Sequence, residues 1–390
     1  MSASNASSDP PSPRAEYLPP VAPPTATFLI QLFLIPLLIV SIIVVLWLMF
    51  SWVAHMGRDN AADLAKAIVR DDTTSWQRAY ELADLLRSPD PKHAALRKDA
   101  ELANSLAAFL ERDLKEPLAP QSSFAMGSNN RTYSGSQAPP GSDRRAQIMR
   151  RMYLCRSLGS FSIPDGVPVL LKAATQEQDA VEVQVRFAAI EGISTLADNC
   201  GPQSFRQNEE VMRMLLAASH EPDDTSPPPA PAKDDEPTLY RPHAELRAVA
   251  AYALGVIGGE QSAERLQQML HDTYPNARYN AATGLARQGN EQCVGVLREM
   301  LDPANRLAVK DEANPNDQER KRTTVLLNGI KSTIQLAKTN PEADLTRLKA
   351  ALEHLNSDPL EKVLFERGKI KSAATEARTI LKTAAAAAVP

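Results

Sequence analysis

Two stretches of the chain, 31 residues apart, carry the same phrase: "LRAVAAYALGVIGGEQ" at 246–261 and "ARYNAATGLARQGNEQ" at 277–292. With Arg247 set on Arg278, Ala250, Ala251 and Leu254 fall on Ala281, Ala282 and Leu285, and Gly258, Glu260 and Gln261 on Gly289, Glu291 and Gln292. Leu266, Met269 and Leu270 then fall on Leu297, Met300 and Leu301, which makes ten identities in the 26 positions from Leu246 to His271. Apolar residues three, four and seven positions after the Arg share one helical face, and a glycine supplies the left-handed conformation that ends a helix. A second helix begins near Glu260 or Glu291. A helix pair this short cannot bury its apolar faces alone, so copies must stack into a solenoid. The alanine pairs are small enough to let neighbouring helices approach closely.

Weaker copies extend the array. "VRFAAIEGISTLADNCG" puts Arg186, Ala189, Ile190 and Ile193 in register, followed by an apolar helix around "VMRMLLAAS". "RMYLCRSLGS" does the same with Arg151, Leu154, Cys155 and Leu158, and Leu170 takes the place of Leu266. The expected fold is all-α: an α-solenoid of helical hairpins over 144–220 and 241–302, with a more divergent pair over 58–115 and C-terminal helices and a cap over 303–383. Composition agrees, since 43% of residues are hydrophobic but only 5% aromatic, and alanine favours helices over strands.

One segment departs from this pattern. Residues 28–53, "FLIQLFLIPLLIVSIIVVLWLMFSWV", include no charge, and nineteen of the 26 are Leu, Ile, Val or Phe. At roughly −0.3 to −0.6 kcal/mol each near a bilayer centre they favour insertion by at most about 6–11 kcal/mol. A helix of this length spans roughly 39 Å, enough for about 30 Å of hydrocarbon. The run exceeds the apolar core of a signal peptide, so a single transmembrane helix is expected over 27–54. Arg14 precedes it, whereas Arg58, Lys66 and Arg70 follow, which places the C-terminal region in the cytoplasm. Three widely spaced cysteines fit a reduced compartment.

Proline and polar residues mark the connectors. Residues 1–26 read as a solvated tail, 116–143 as a linker, 221–240 as an acidic, Pro-rich insertion and 384–390 as a frayed tail. The sequons at Asn5 and Asn130 read as chance matches in polar text.

Motifs for chemistry are scarce. The six histidines are scattered without a second ligand at helical spacing, so no metal site is expected. Cys155 stands where other copies have alanine, which suits a small core residue better than a nucleophile. No phosphate loop, serine elbow or carboxylate pair occurs in a recognisable context. The expectation is therefore no enzyme: no catalytic, cofactor-binding or metal residues, no cofactor and no small-molecule ligand. A net charge of −4 disfavours nucleic acid. The recurring Arg reads as a packing and bonding side chain, and the glycines that follow the alanine pairs read as caps.

The pattern of Val/Leu-Arg, Ala-Ala beginning three positions after the Arg, then Leu-Gly resembles HEAT-like repeats of the phycobiliprotein-lyase type over roughly 145–301. The resemblance implies a protein-binding scaffold without implying lyase chemistry. It also implies an Asp a few residues before each Arg, forming a polar ladder. Asp179 and Asp272 are the candidates for Arg186 and Arg278, while Glu245 alone precedes Arg247. The function expected is a membrane-anchored scaffold for protein partners, themselves membrane-associated. The alternatives are a lyase-like or assembly factor acting on a protein substrate, or an accessory subunit of a membrane complex.

Overall fold

The computed structural model describes residues 26–56, 65, 68, 75–119, 143–176, 183–224, 241–312, 314–356 and 365–387. Residues 1–25, most of both internal connectors, Asp179, Arg58, Lys66 and Arg70 lie outside them. All regular structure among the described residues is helical, in agreement with the all-α expectation. The chain divides into two compact units, Met1–Asn60 and Ala61–Pro390.

Among its described residues the first unit holds one helix, α1 (Ala26–Met56), 31 residues long with Pro36 inside it. Leu37, Val45, Trp47 and Phe50 are all exposed on it. It covers the span expected to cross a membrane. Among the described residues, however, no helix is long and apolar enough for that, because the described side chains of α1 run unbroken only over 36–50.

The second unit is a two-layer array. Its first layer consists of α2 (Ser75–Arg87), α4 (Asp143–Gly159), α6 (Val183–Cys200), α9 (Pro242–Ile257), α11 (Pro275–Arg287), α13 (Pro315–Thr339) and α15 (Arg367–Ala387), each packed on the next. The second layer alternates with it along the chain: α3 (Ala100–Lys115), α5 (Val167–Thr175), α8 (Glu209–Ser219), α10 (Glu260–Met269), α12 (Val294–Met300) and α14 (Thr346–Asn356). A short α7 (Pro202–Arg206) bridges α6 and α8. Neighbouring layers share one continuous core in which Leu154, Ile190, Leu254, Leu285 and Ile330 are wholly buried. This alternation of hairpins, each burying its faces on the next, is the stacked solenoid that the repeat requires.

Glycine has two roles here, only one of which the sequence announces. Gly258 (φ +67°) and Gly289 (φ +73°) end α9 and α11 in a conformation that L side chains avoid, as the expected stops. Gly255 and Gly284 instead face each other inside the two helices: a Cβ on either would stand 2.6 Å from the other's Cα. Gly159 and Gly192 make the corresponding contact between α4 and α6, where the added Cβ would stand at 2.5 Å. The closest approach thus occurs at glycine, and the alanine pairs fill the adjoining core. The cap reading thus holds at Gly258 and Gly289, whereas Gly159, Gly192, Gly255 and Gly284 are mid-helix or helix-final positions at ordinary φ whose missing side chain sets the spacing.

Two stretches expected to be connectors are bonded into the array at their ends. Glu116 and Ala119 offer backbone oxygens to Arg151 and Arg144. Residues 221–224 lie along the start of α9. At the C-terminus the α15 helix continues to Ala387, past the expected frayed boundary at 384.

Candidate functional site

The register arginines form a ladder, in which the carboxylate of Asp272, expected for Arg278, serves Arg247 instead, while Asp179, expected for Arg186, lies outside the described residues. Arg247 is buried and donates through Nε and Nη2 to Asp272 at 2.8 and 2.9 Å, with a further bond to Asp223 at 2.8 Å. Its Nη1 donates to the carbonyls of Glu221 and Pro222. Asp272 thus serves Arg247 through its carboxylate, and Arg278 takes only its backbone oxygen at 2.7 Å. The carboxylate for Arg278 comes from Glu299 at 2.8 Å. Arg186 donates to the Ala174 carbonyl at 3.0 Å and to Glu221 at 2.6 Å. At the array's other end Arg151 donates to the carbonyls of Asp113 and Glu116. One rule covers the units at Arg186, Arg247 and Arg278: the Arg binds carbonyls at the end of the preceding second-layer helix and an acid in or after the following one. An Asp just upstream thus supplies no carboxylate to Arg278, whereas Arg247 takes both the upstream Asp223 and the downstream Asp272. Burial acts to lower the Arg247 pKa, but Asp272 and Asp223 raise it overall, so the charge is held firmly.

Glu221 sits at the junction of two units. Burial acts to raise its pKa, but hydrogen bonds from Arg186 and His243 bring it below the usual carboxylate range. Asp224 accepts from the His243 and Ala244 amides at 3.2 Å each, capping the first turn of α9 from outside the helix. These acids of the insertion are therefore structural.

Cys155 and Cys293 are fully buried, and burial pushes both thiols up to about 12, far from a reactive thiolate. Cys200 is half-buried and its pKa is also raised by burial. Among the described residues, no group of three His, Cys, Asp or Glu side chains could hold a metal ion.

The feature with room for a partner lies on the first layer. Four first-layer helices, together with Met300 of α12 below them, contribute to a groove of about 330 Å³. It is lined by Phe187 and Glu191 of α6, Glu245, Ala248, Val249 and Tyr252 of α9, Asn276, Tyr279, Asn280 and Thr283 of α11, and Lys321, Thr324, Val325 and Asn328 of α13. Within each of the last three helices these residues fall at i, i+3, i+4 and i+7, one face of a helix. Stacking places the three stripes side by side.

Each ionisable side chain in the groove has a partner within the chain. Glu191 accepts from Arg156 at 2.9 Å, Lys321 bonds Glu312 at 2.8 Å, and Glu245 accepts from the Tyr274 hydroxyl. Burial raises the Glu245 pKa despite that hydrogen bond, and burial also drives up that of Tyr279, whose hydroxyl donates to Glu299 at 2.8 Å. Asn280 donates to the Ala248 carbonyl across the α9–α11 contact at 2.8 Å. Tyr252 is exposed, and the Arg287 guanidinium lies 5.5 Å from its ring centre.

The sequence gives no sign of this groove. Its residues belong to five helices, and those of the first layer are not identical between copies: Glu245, Ala248, Val249 and Tyr252 align with Asn276, Tyr279, Asn280 and Thr283. The one available signal is negative, namely the exposed positions that the repeat leaves free to vary.

Comparison with known families matches residues 237–314, which hold α9 to α12, to HEAT repeats. No curated protein sequence matches the chain. The chain is thus similar to HEAT-repeat proteins over that segment, and its helical hairpins are of the kind that such repeats build.

Proposed function

We propose that the chain is a membrane-tethered docking scaffold, with α1 as the tether and the first-layer groove as the protein-binding surface. HEAT repeats generally serve protein interaction, and the match over 237–314 covers three of the helices that contribute to the groove. The observation that carries the reading is the groove itself: a continuous, accessible face built from four helices, with no constellation of reactive groups in it. On this reading the chain carries out no catalysis of its own. The helix pairs flanking the matched segment extend the array, and residues 120–142 and 225–240 connect its parts.

The tether rests on the uncharged run 28–53 within a helix of 31 residues and on the exposure of its apolar side chains. The basic residues that follow it favour a C-terminal array on the cytoplasmic side. Two tests separate the parts. A photo-crosslinking amino acid at position 252 should capture a discrete partner, while the same group at the exposed position 264 on α10 should not. Equal capture from both faces would remove the groove's claim. Replacing Leu38 and Val44 together by Arg costs about 6–8 kcal/mol of insertion energy. It should release the protein on alkaline extraction of membranes; retention of the double variant in the pellet would argue against a spanning helix.

A further inference from the structure

The charge around the groove narrows its occupant, a step that rests on the docking reading above. We infer that the groove accepts an acidic segment of a partner protein, whose carboxylates meet Arg287 and Lys331.

The first observation is a one-sided distribution of charge. Along the adjacent helices α9, α11 and α13, residues 246–257, 275–287 and 320–339 include no Asp or Glu, although the chain as a whole carries a net charge of −4. The basic side chains of these stretches are of two kinds. Arg247, Arg278 and Lys321 are bonded to acids from outside them, at Asp272, Glu299 and Glu312. Arg287, Lys331 and Lys338 are exposed and, among the described residues, form no ion pair and donate no hydrogen bond. The acids of the groove do not offset them. Glu191 is bonded to Arg156, and Glu245 is bonded to the Tyr274 hydroxyl in the first turn of α9, at the opposite end of the lining stripes.

The second observation is where these cations stand. Thr283 and Asn328 line the groove, and Arg287 and Lys331 follow them four and three residues on, which continues each stripe along the same helical face. The two helices are tied at this level, because Ser332 and Thr283 share a hydroxyl hydrogen bond at 3.2 Å. Both cations therefore border one end of the groove. The Arg287 guanidinium lies 5.5 Å from the Tyr252 ring centre. A guanidinium stacked by its face keeps its edge N–H donors, and that fork matches a carboxylate bidentately. The ring thus steadies the charge without neutralising it.

The third observation separates carboxylates from phosphates. Nucleic acids and anionic lipid surfaces present many closely spaced phosphates and are met by dense runs of Lys and Arg. Here Arg287 and Lys331, with Lys338 beyond them, border a floor of Asn280, Thr283, Val325 and Asn328. A few carboxylates among neutral side chains suit that arrangement, and a volume of about 330 Å³ admits the side chains of a segment and not a folded surface.

The test is fluorescence anisotropy of labelled hexaglutamate against the full chain in detergent micelles. A Gly-Ser hexapeptide serves as the neutral control, and an oligothymidine of matching charge as the phosphate rival. Hexaglutamate should bind saturably and about tenfold or more tighter than Gly-Ser, a difference of about 1.4 kcal/mol, and should weaken as salt is added. Arg287→Gln and Lys331→Gln should each weaken it several-fold, and together they should reduce it to the Gly-Ser level. Arg298→Gln, which removes an exposed cation of α12 in the second layer, should leave it unchanged. All three positions are exposed, so the helical circular dichroism should match wild type throughout. Absence of hexaglutamate binding, indifference to the Arg287 and Lys331 substitutions, an equal loss with Arg298→Gln or tighter binding of the oligothymidine would each overturn the inference. Partner capture at position 252 would survive any of these results, so this inference and the docking reading can fail separately.

Discussion

At the scale of single residues, the array's dimensions depend on atoms that are missing. A methyl group added at Gly255 would stand 2.6 Å from the Gly284 Cα, while one added at Gly295 in α12 meets nothing within 4 Å. Alanine is worth up to about 1 kcal/mol over glycine inside a helix, but overpacking a tight contact costs about 1–3 kcal/mol. Gly295→Ala should therefore raise the thermal midpoint and Gly255→Ala lower it, as followed by circular dichroism. If both substitutions stabilise, the α9–α11 contact is looser than described. Glu245 gives a second prediction, with a defined sign. Because burial raises its folded pKa, the folded chain takes up a proton more readily than the unfolded one. Its ionised form then opposes folding at neutral pH, and the penalty fades as the pH falls through the raised pKa towards the ordinary carboxylate value. Glu245→Gln should stabilise the protein at pH 7, and the advantage over wild type should shrink in acid. A gain that grows on acidification would reverse the assignment. Glu221 acts in the opposite sense, since its lowered pKa contributes stability that is lost as the pH falls through the folded value.

At the scale of elements, helix ends are satisfied by neighbouring units. Asn340, just after α13, donates to the Gly289 carbonyl at 3.0 Å, and Asn199 near the end of α6 donates to the Gly159 carbonyl at 3.2 Å. Arg206 of α7 reaches the Ile257 carbonyl at 2.8 Å. Asn340→Ala should cost about 1 kcal/mol and speed amide exchange in the last turn of α11, a helix that Asn340 is not part of. Exchange confined to α13 would mean that the bond contributes nothing across the interface. Such bonds show why some of the molecule is legible in sequence and some is not. Leu254, Leu266 and Leu285 announce themselves because the 3.6-residue period is local. The same holds for Gly258 and Gly289, which follow directly on apolar stripes. The partner of Arg247 lies 25 residues away and that of Asn340 lies 51 away, so nothing local marks either. Asp272 is legible as a ladder acid, but its carboxylate reaches Arg247 across the interface and leaves Arg278 only its backbone oxygen. The groove could not be read at all, because its lining is defined by what the stack leaves uncovered.

At the scale of the whole second unit, a stack differs from a closed core in how it comes apart. Each helix pair touches only its neighbours, so stability is close to a sum of unit and interface terms, and the ends open first. The terminal helix α15 tests this, since its Ile370, Ala374, Ala377 and Leu381 are buried against α13 and α14. Removing residues 365–390 uncovers the apolar face of α13 and α14 while leaving every contact among α4, α6, α9 and α11 in place. Hydrogen exchange should then rise steeply over 315–356 and stay near wild type over 183–301. A single cooperative core would instead lose protection everywhere at once, because each of its helices leans on all the others. That outcome would dissolve the groove along with the stack, since four adjacent helices form one binding face only if their spacing is fixed by local joints such as Gly255 on Gly284.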